Sequence, residues 1–434
     1  MTDAETNFEP LDGEVLVDTT QLRPGVHVRL PVPWMQHHFL FSSFVISDDD
    51  QVRQIEALNL PRLYCDITRC RVPLLPKRPT PAPVVATNVQ EKARLAALAA
   101  TQMAEKRARA QVMNDLRGRL DTAQKHYGNA ARAVGGAIKS FDLDPKESVR
   151  QVTQVSEDST AALLSDPDSA LVLIAEKARD EGSAAHSLSV MTLTLLLGKQ
   201  ARLPKEALAA LGIGALIHDI GKASIKPSIL RNQERNRFEE EIYQTHCRLG
   251  YESAQRAGTL AQSMLDAILH HHERFDGTGF PDGLVGDATP LSARAVAIAN
   301  RFDNLANPID YRHALSPSEA LSRMWTKERN AFDSMLLQLF IRAMGVYPPG
   351  SIVQLTDGRI GAVVASAPTG SPLCPQVMIY DPTMPRSEAI IIDLARDNGI
   401  TIEKPLRLQE RPDDELDYLL PRRKLNWFHM EVEK

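Results

Sequence analysis

Apolar positions change their period twice along this chain. Up to about Cys70 they fall in short runs, Val15-Leu16-Val17, Val26-His27-Val28 and Phe44-Val45-Ile46, separated by turn-forming segments. Such runs predict strands, and Gln51 to Leu58 reads as a short helix between them. The proline-rich stretch VPLLPKRPTPAPVV, residues 72–85, predicts an extended linker. From Glu91 an alanine- and leucine-rich run with alternating charges predicts a long helix able to coil against a partner. A homodimer through residues 90–130 is therefore expected, with Lys106, Arg107 and Arg109 on a solvated helix face.

Between Ser148 and Met344 the period is helical throughout. SALVLIAEKARDEG, LSVMTLTLLLGKQARL, KEALAALGIGALIHDIG and PSEALSRMWTKE read as successive helices. After Tyr347-Pro348-Pro349-Gly350 the alternation returns to two. SIVQLTDGRIGAVVASA predicts strand, Asp357-Gly358 turn and strand, with VMIYDP and AIIIDLA as further strands before a charged tail. The expected fold is multidomain: a small α+β N-terminal domain (1–72), linker and long helix (73–147), an all-α domain (148–345), and a small β module with its tail (346–434).

Composition narrows the function classes. A length of 434 residues fits two or three domains, and 43% hydrophobic with 24% charged residues is ordinary for a globular chain. A net charge of −5 argues against general nucleic-acid binding, so no DNA partner is expected. Cys65, Cys70, Cys247 and Cys374 form no CxxC pair, which excludes a zinc ribbon and predicts a reducing compartment. The acidic, polar start MTDAETNFEP is no signal peptide, and no apolar run is long enough to span a bilayer. A cytoplasmic protein is expected.

The chemistry concentrates in the helical domain, where six of the twelve histidines lie between His186 and His272. His218-Asp219 ends the apolar segment ALGIGALIHDIGK. An imidazole and a carboxylate at a buried helix end need partners, and a divalent metal satisfies both. His186 lies on an earlier helix, His246 in YQTHCRLG on a later one, and His271 and His272 end MLDAILHHHER. These ligands suit Fe, Mn, Zn, Co or Ni better than Mg or Ca. They are too many for one tetrahedral ion, so two metals sharing a carboxylate are expected, an arrangement suited to phosphate-ester hydrolysis. Lys222, one turn from Asp219, can neutralise a phosphate oxygen or simply cap a helix C-terminus.

HDIGKASIKPSIL, Thr245-His246 and HHERFDGTGFPDGL, in this order and spacing over some 150 residues, resemble the HD-GYP branch of the HD-domain metal phosphohydrolases. The N-terminal LRPGVHVRLPVPWMQHHF resembles an uncharacterised domain that often precedes it. The resemblance implies an HD-type helical domain that hydrolyses cyclic di-GMP to linear pGpG or GMP with two divalent ions, Fe or Mn first and Zn, Ni or Co as alternatives. It implies His186, His218, Asp219, His246, His271 and His272 as metal ligands, with Asp219 and Lys222 as the catalytic pair. Lys222 then contacts phosphate, and Gly279, Phe280, Pro281 and Arg312 line the substrate pocket.

Five positions depart from the family pattern. Phe280 replaces a tyrosine and lacks its hydroxyl. Asn300 stands where the family has a ligand aspartate and is expected in the metal site through its uncharged carbonyl oxygen, with Asp303 three residues on. Ile309 and Asp310 replace the arginine and proline that open the RPYR-like run, and Gly182 replaces a glutamate tied to a third metal. The alternative reading is a catalytically degenerate domain that binds cyclic di-GMP or a signalling protein. Three further expectations follow. Trp34, His37 and His38 plug into the N-terminal core. His270 and Cys247 stay outside the metal shell, and Asp276-Gly277 and Asp282-Gly283 form tight turns.

Overall fold

The computed structural model describes residues 10–77, 89–165, 182–308, 310, 313–366, 373–382, 384, 386, 389–396 and 399–420. The chain divides into two compact units, Met1–Asn114 with Asp381–Glu388, and Asp115–Tyr380 with Ala389–Lys434.

In the first unit β1 (Glu14–Val17), β2 (His27–Arg29), β3 (Ser43–Val45) and β4 (Leu63–Asp66) form an antiparallel sheet in the order β1-β4-β2-β3. Between β3 and β4 lies α1 (Asp49–Ala57), begun by Asp48, whose carboxylate accepts from the Gln51 N–H at 2.8 Å. Val26, Val28, Leu30, Ile46, Ile55 and Leu63 bury the core between helix and sheet. The loop after β2 plugs in as expected, with Trp34, His37 and His38 all buried.

Its partner overturns one expectation. Lys106, read as a solvated residue, is buried (1% exposed) on α2 (Val89–Ser140). Its ammonium donates to the carbonyls of Trp34, His37 (2.9 Å) and Phe39 (2.8 Å) and lies 4.2 Å from the Trp34 ring centroid. Three carbonyls and a ring face replace its water shell, which offsets the cost of burying this charge. The fold also brings Cys65 and Cys70, distant from any CxxC pattern, to an Sγ–Sγ separation of 3.5 Å as free thiols.

The second unit is helical: α3 (Pro145–Ser165), α4 (Gly182–Gln200), α5 (Lys205–Leu216), α6 (Pro227–Arg231), α7 (Arg237–Gln244), α8 (His246–Ala257), α9 (Gln262–His270), α10 (Leu291–Ala306), α11 (Pro317–Thr326) and α12 (Ser334–Met344). The helix expected over SALVLIAEKARDEG lies almost wholly outside the described residues. α4 is apolar on all sides and forms the centre of the core through Leu188, Met191, Leu193, Leu195 and Leu197. α5, α10 and α12 pack around it, and α9 packs on α5 and α10.

The C-terminal strands β5 (Ile352–Leu355), β6 (Ile360–Ala365), β7 (Gln376–Ile379), β8 (Ile391–Asp393) and β9 (Ile402–Pro405) form an antiparallel sheet in the order β8-β7-β6-β5-β9. The Asp357-Gly358 turn joins β5 to β6, with Gly358 at φ +86°. The segment read as a charged tail contributes β9 and a last helix, α13 (Asp413–Leu419). No helix among the described residues is long and apolar enough to cross a membrane.

Candidate metal centre

Three helix ends meet at Asp219. α5 is apolar enough to be buried from Leu211 onward, and its last turn delivers His218-Asp219 into the interior. The chain then turns through Gly221 against the start of α8. A Cβ on Gly221 would lie 2.0 Å from the His246 carbonyl oxygen and 2.5 Å from the Gly250 nitrogen. Only glycine lets these backbones approach so closely, and that approach sets His246 beside Asp219. α7, which leads into α8, is started by a capping box between Asn236 and Glu239. α9 delivers His271 and His272 from its C-terminal end.

The two oxygens of Asp219 divide the histidines. Oδ2 lies 3.6 Å from His186 Nε2 and 3.4 Å from His218 Nε2, whereas Oδ1 lies 3.5 Å from His246 Nε2 and 3.4 Å from His271 Nε2. His272 joins the second group, so Asp219, His246, His271 and His272 gather on one side and His186, His218 and Asp219 on the other. Asp219 belongs to both sets.

Four of the five histidines are held by their other nitrogen. His218, His246 and His271 donate Nδ1–H to the carbonyls of Ala215 (2.7 Å), Tyr243 (2.5 Å) and Ile268 (2.9 Å). A carbonyl only accepts, so Nδ1 carries the proton and Nε2 presents its lone pair. Those carbonyls belong to the last turns of α5, α7 and α9, where helix geometry leaves them unpaired. His186 Nδ1 is 2.6 Å from Asp303 Oδ2, a fully buried carboxylate on α10 that also accepts from Asn307.

Burial keeps three of these rings, His246, His271 and His272, neutral. Burial pulls His246 down to about 4 and His271 to about 3, and it holds His272 well below the ordinary value. Burial alone would raise Asp219, but the charge of Lys222 and the neighbouring imidazoles bring it well below the usual carboxylate range. The ammonium donates to Asp219 Oδ2 at 2.5 Å, and that carboxylate raises Lys222 against the opposing effect of burial.

The result is a buried centre in which lone pairs face lone pairs. Nε2 of His218 and His272 and Oδ1 of Asp219 are buried without a hydrogen-bond partner. Two ligands each about 2.1 Å from one tetrahedral ion are about 3.4 Å apart, close to the spacings found here. The residues therefore fit divalent metal ions.

The loop after α9 walls this centre. Phe280 stacks on His272 with centroids 4.5 Å apart and planes at 17°. A Cβ on Gly279 would fall 2.3 Å from the Arg274 nitrogen and 2.5 Å from the His272 carbonyl oxygen, so this residue must be glycine. The Phe280-Pro281 peptide is cis. Glu273 clamps the loop, accepting from the N–H groups of Asp282 (2.7 Å) and Leu284 (3.0 Å). Gly277 and Gly283 turn with φ of +78° and +64° at the two expected turns.

The remaining expected positions separate. His270 turns away from Asp219 toward Glu273 (3.8 Å) and Asp282 (3.7 Å). Cys247 is buried and its thiol is pushed up by that burial. Asn300 is buried one turn before Asp303 on α10, and its Oδ1 accepts from Asn304 at 2.7 Å. Arg312 and Ile309 lie outside the described residues.

Residues 163–336 match the HD domain model, and residues 15–152 match a domain of unknown function designated DUF3391. Residues 163–336 are thus similar to an HD domain. HD domains form a metal-dependent phosphohydrolase family, and the HD domain here contains every ligand group just described. Over 381 residues, 84% of each chain, it is 28% identical to a Pseudomonas aeruginosa protein named cyclic di-GMP phosphodiesterase PA4108. It is 34% identical over 38% of its length, and 44% of the relative's, to the cyclic di-GMP phosphodiesterase response regulator RpfG of Xanthomonas campestris. With 3'3'-cGAMP-specific phosphodiesterase 1 of Vibrio cholerae it shares 31% identity over 41% of each chain.

Asp303 is the site residue whose role the sequence left open. Three residues beyond Asn300 on α10, it serves as the carboxylate that orients His186. Asp303→Ala is expected to weaken metal retention about 10–100-fold, the usual cost of losing a ligand's outer partner. Metal titration of the variant, with circular dichroism confirming the fold, checks this.

Proposed function

We propose that the HD domain is a metal-dependent phosphodiesterase that hydrolyses cyclic di-GMP to linear pGpG or GMP. The convergence of histidine Nε2 atoms on the two oxygens of one buried carboxylate is the observation that carries this reading. His186, His218 and Asp219 would hold one ion, with Asn300 as a weaker carbonyl ligand, and Asp219, His246, His271 and His272 the other. Two such ions, Fe or Mn in first place, supply Lewis acidity and an activated water for phosphodiester cleavage. The chain's own residues do the rest. Asp219 stays ionised and spans both groups. Lys222, half-buried beside it, offers its ammonium to a phosphate oxygen. Gly279, Phe280 and Pro281 close one wall against water, and Asp303 and the backbone carbonyls orient His186, His218, His246 and His271. Cyclic di-GMP is favoured over a mixed cyclic dinucleotide because the relative with that name matches across 84% of both chains.

Asn300 favours a second reading, a domain that binds the nucleotide without turnover. Its neutral amide, already engaged with Asn304, adds no charge to the His186 group. The deciding experiment measures metal content in protein purified without chelator, together with conversion of cyclic di-GMP. Two equivalents with product support the enzyme. One or none, without product at high enzyme concentration, supports the silent module. Asn300→Asp retains the acceptor for Asn304 and adds a charge, so metal retention and turnover should both rise. A homodimer through residues 90–130 and Arg312 as a substrate contact belong to the same proposal.

A further inference from the structure

Tyr243 and Arg235 are no part of the ligand groups, yet they stand directly against them. Tyr243, in the last turn of α7, sets its ring 4.9 Å from that of His246 and gives its carbonyl to His246 Nδ1. Arg235, in the turn ahead of α7, lays its guanidinium on the Tyr243 ring with Cζ 4.0 Å from the centroid. It is fixed there, with Nε donating to Glu240 at 2.8 Å and Nη1 to the Asn232 carbonyl at 2.9 Å. Nη2 has no partner among the described residues. The Lys222 ammonium lies 5.6 Å from the same ring centroid.

Two cations gathered on one aromatic ring beside a phosphodiesterase centre suit an anionic nucleotide. A locked guanidinium presents fixed N–H donors to phosphate oxygens, a match that a flexible ammonium does not make. The family pattern places an arginine at the position that Ile309 occupies here, so that contact is missing from the expected place. Resting on the cyclic di-GMP reading, we infer that Arg235 binds the second phosphodiester of the cyclic dinucleotide, the one not being cleaved. Tyr243 is a positioning residue, the platform that holds Arg235 beside Lys222. No bond is made or broken at this subsite, and its contribution is to substrate affinity and selectivity.

The test compares two substrates in the metal-loaded full chain: cyclic di-GMP, and bis(4-nitrophenyl) phosphate, which has a single phosphate. Arg235→Gln is expected to raise KM for cyclic di-GMP at least tenfold with a smaller change in kcat. Its loss of kcat/KM on bis(4-nitrophenyl) phosphate should be at least fivefold smaller. Calorimetric binding of cyclic di-GMP should weaken in step with KM. Arg235→Lys, which retains charge but not the planar fork, should fall between wild type and Arg235→Gln, and it carries the test if Arg235→Gln does not fold. Tyr243→Leu should reproduce part of the KM increase. Wild-type KM and affinity in Arg235→Gln, or equal losses on both substrates, overturn the inference while leaving the phosphodiesterase reading intact. A wild-type protein that neither binds nor hydrolyses cyclic di-GMP removes that reading and this inference with it.

Discussion

Asp219→Asn is expected to abolish two-metal binding and lower phosphodiesterase activity more than about 100-fold, beyond the cost of losing an outer partner. The geometry explains why one substitution reaches both groups. Each oxygen of Asp219 faces two histidines, and Oδ2 also receives the Lys222 ammonium. Asparagine keeps the size but replaces one acceptor with an N–H donor pointing at imidazole lone pairs. The negative charge that offsets Lys222 and the metal ions is lost as well. Metal analysis of purified Asp219→Asn should find less than one equivalent, against two in the wild type, with an unchanged helical spectrum. Two retained equivalents would mean that Asp219 does not bridge the groups.

Gly221→Ala should be nearly as damaging, for a different reason. A single methyl group would sit 2.0 Å from the His246 carbonyl oxygen, and backbone on both sides prevents the relief that a flexible side chain would give. The cost belongs at or above the upper end of the ~1–3 kcal/mol typical of overpacking. Relaxation can only push α8 away from the turn, carrying His246 off Asp219. Thermal unfolding and metal titration should therefore move together, with a lower midpoint and a weakened second metal. A variant that loses stability but retains both ions would show that α8 yields without moving His246.

How far the sequence revealed the site depends on how local each signal is. His218-Asp219, His246 and His271-His272 sit in short motifs whose apolar flanks already imply burial, and the structure gathers them at one carboxylate. The strands and helices with clear periods were legible for the same reason. The features that the sequence hid are pairings between distant segments. Lys106 resembles its neighbours Arg107 and Arg109 in any helical pattern, and only the loop carrying Trp34, His37 and Phe39 makes it a core residue. Cys65 and Cys70 meet because β4 and the turn after it fold back, at a spacing no thiol motif describes. Arg235 looks like a surface arginine until Tyr243 lies beneath it. The segment after Gly399 alternates too briefly to announce β9 before the sheet edge pairs it with β5.

The anchoring of His218, His246 and His271 to carbonyls at the ends of α5, α7 and α9 sets how metal and folding are linked. In small zinc domains the unfolded chain must be organised by the ion, and binding energy is folding energy. Here the rotamers and tautomers are already fixed by bonds that the helix ends would otherwise lack. Folding is then expected to proceed without the ion, and occupancy should act as a ligand does, adding stability as RT ln(1 + [L]/Kd) to the scaffold. A cell poor in the metal would then hold a folded, inactive reserve of this protein that activates on loading, with no refolding step in between.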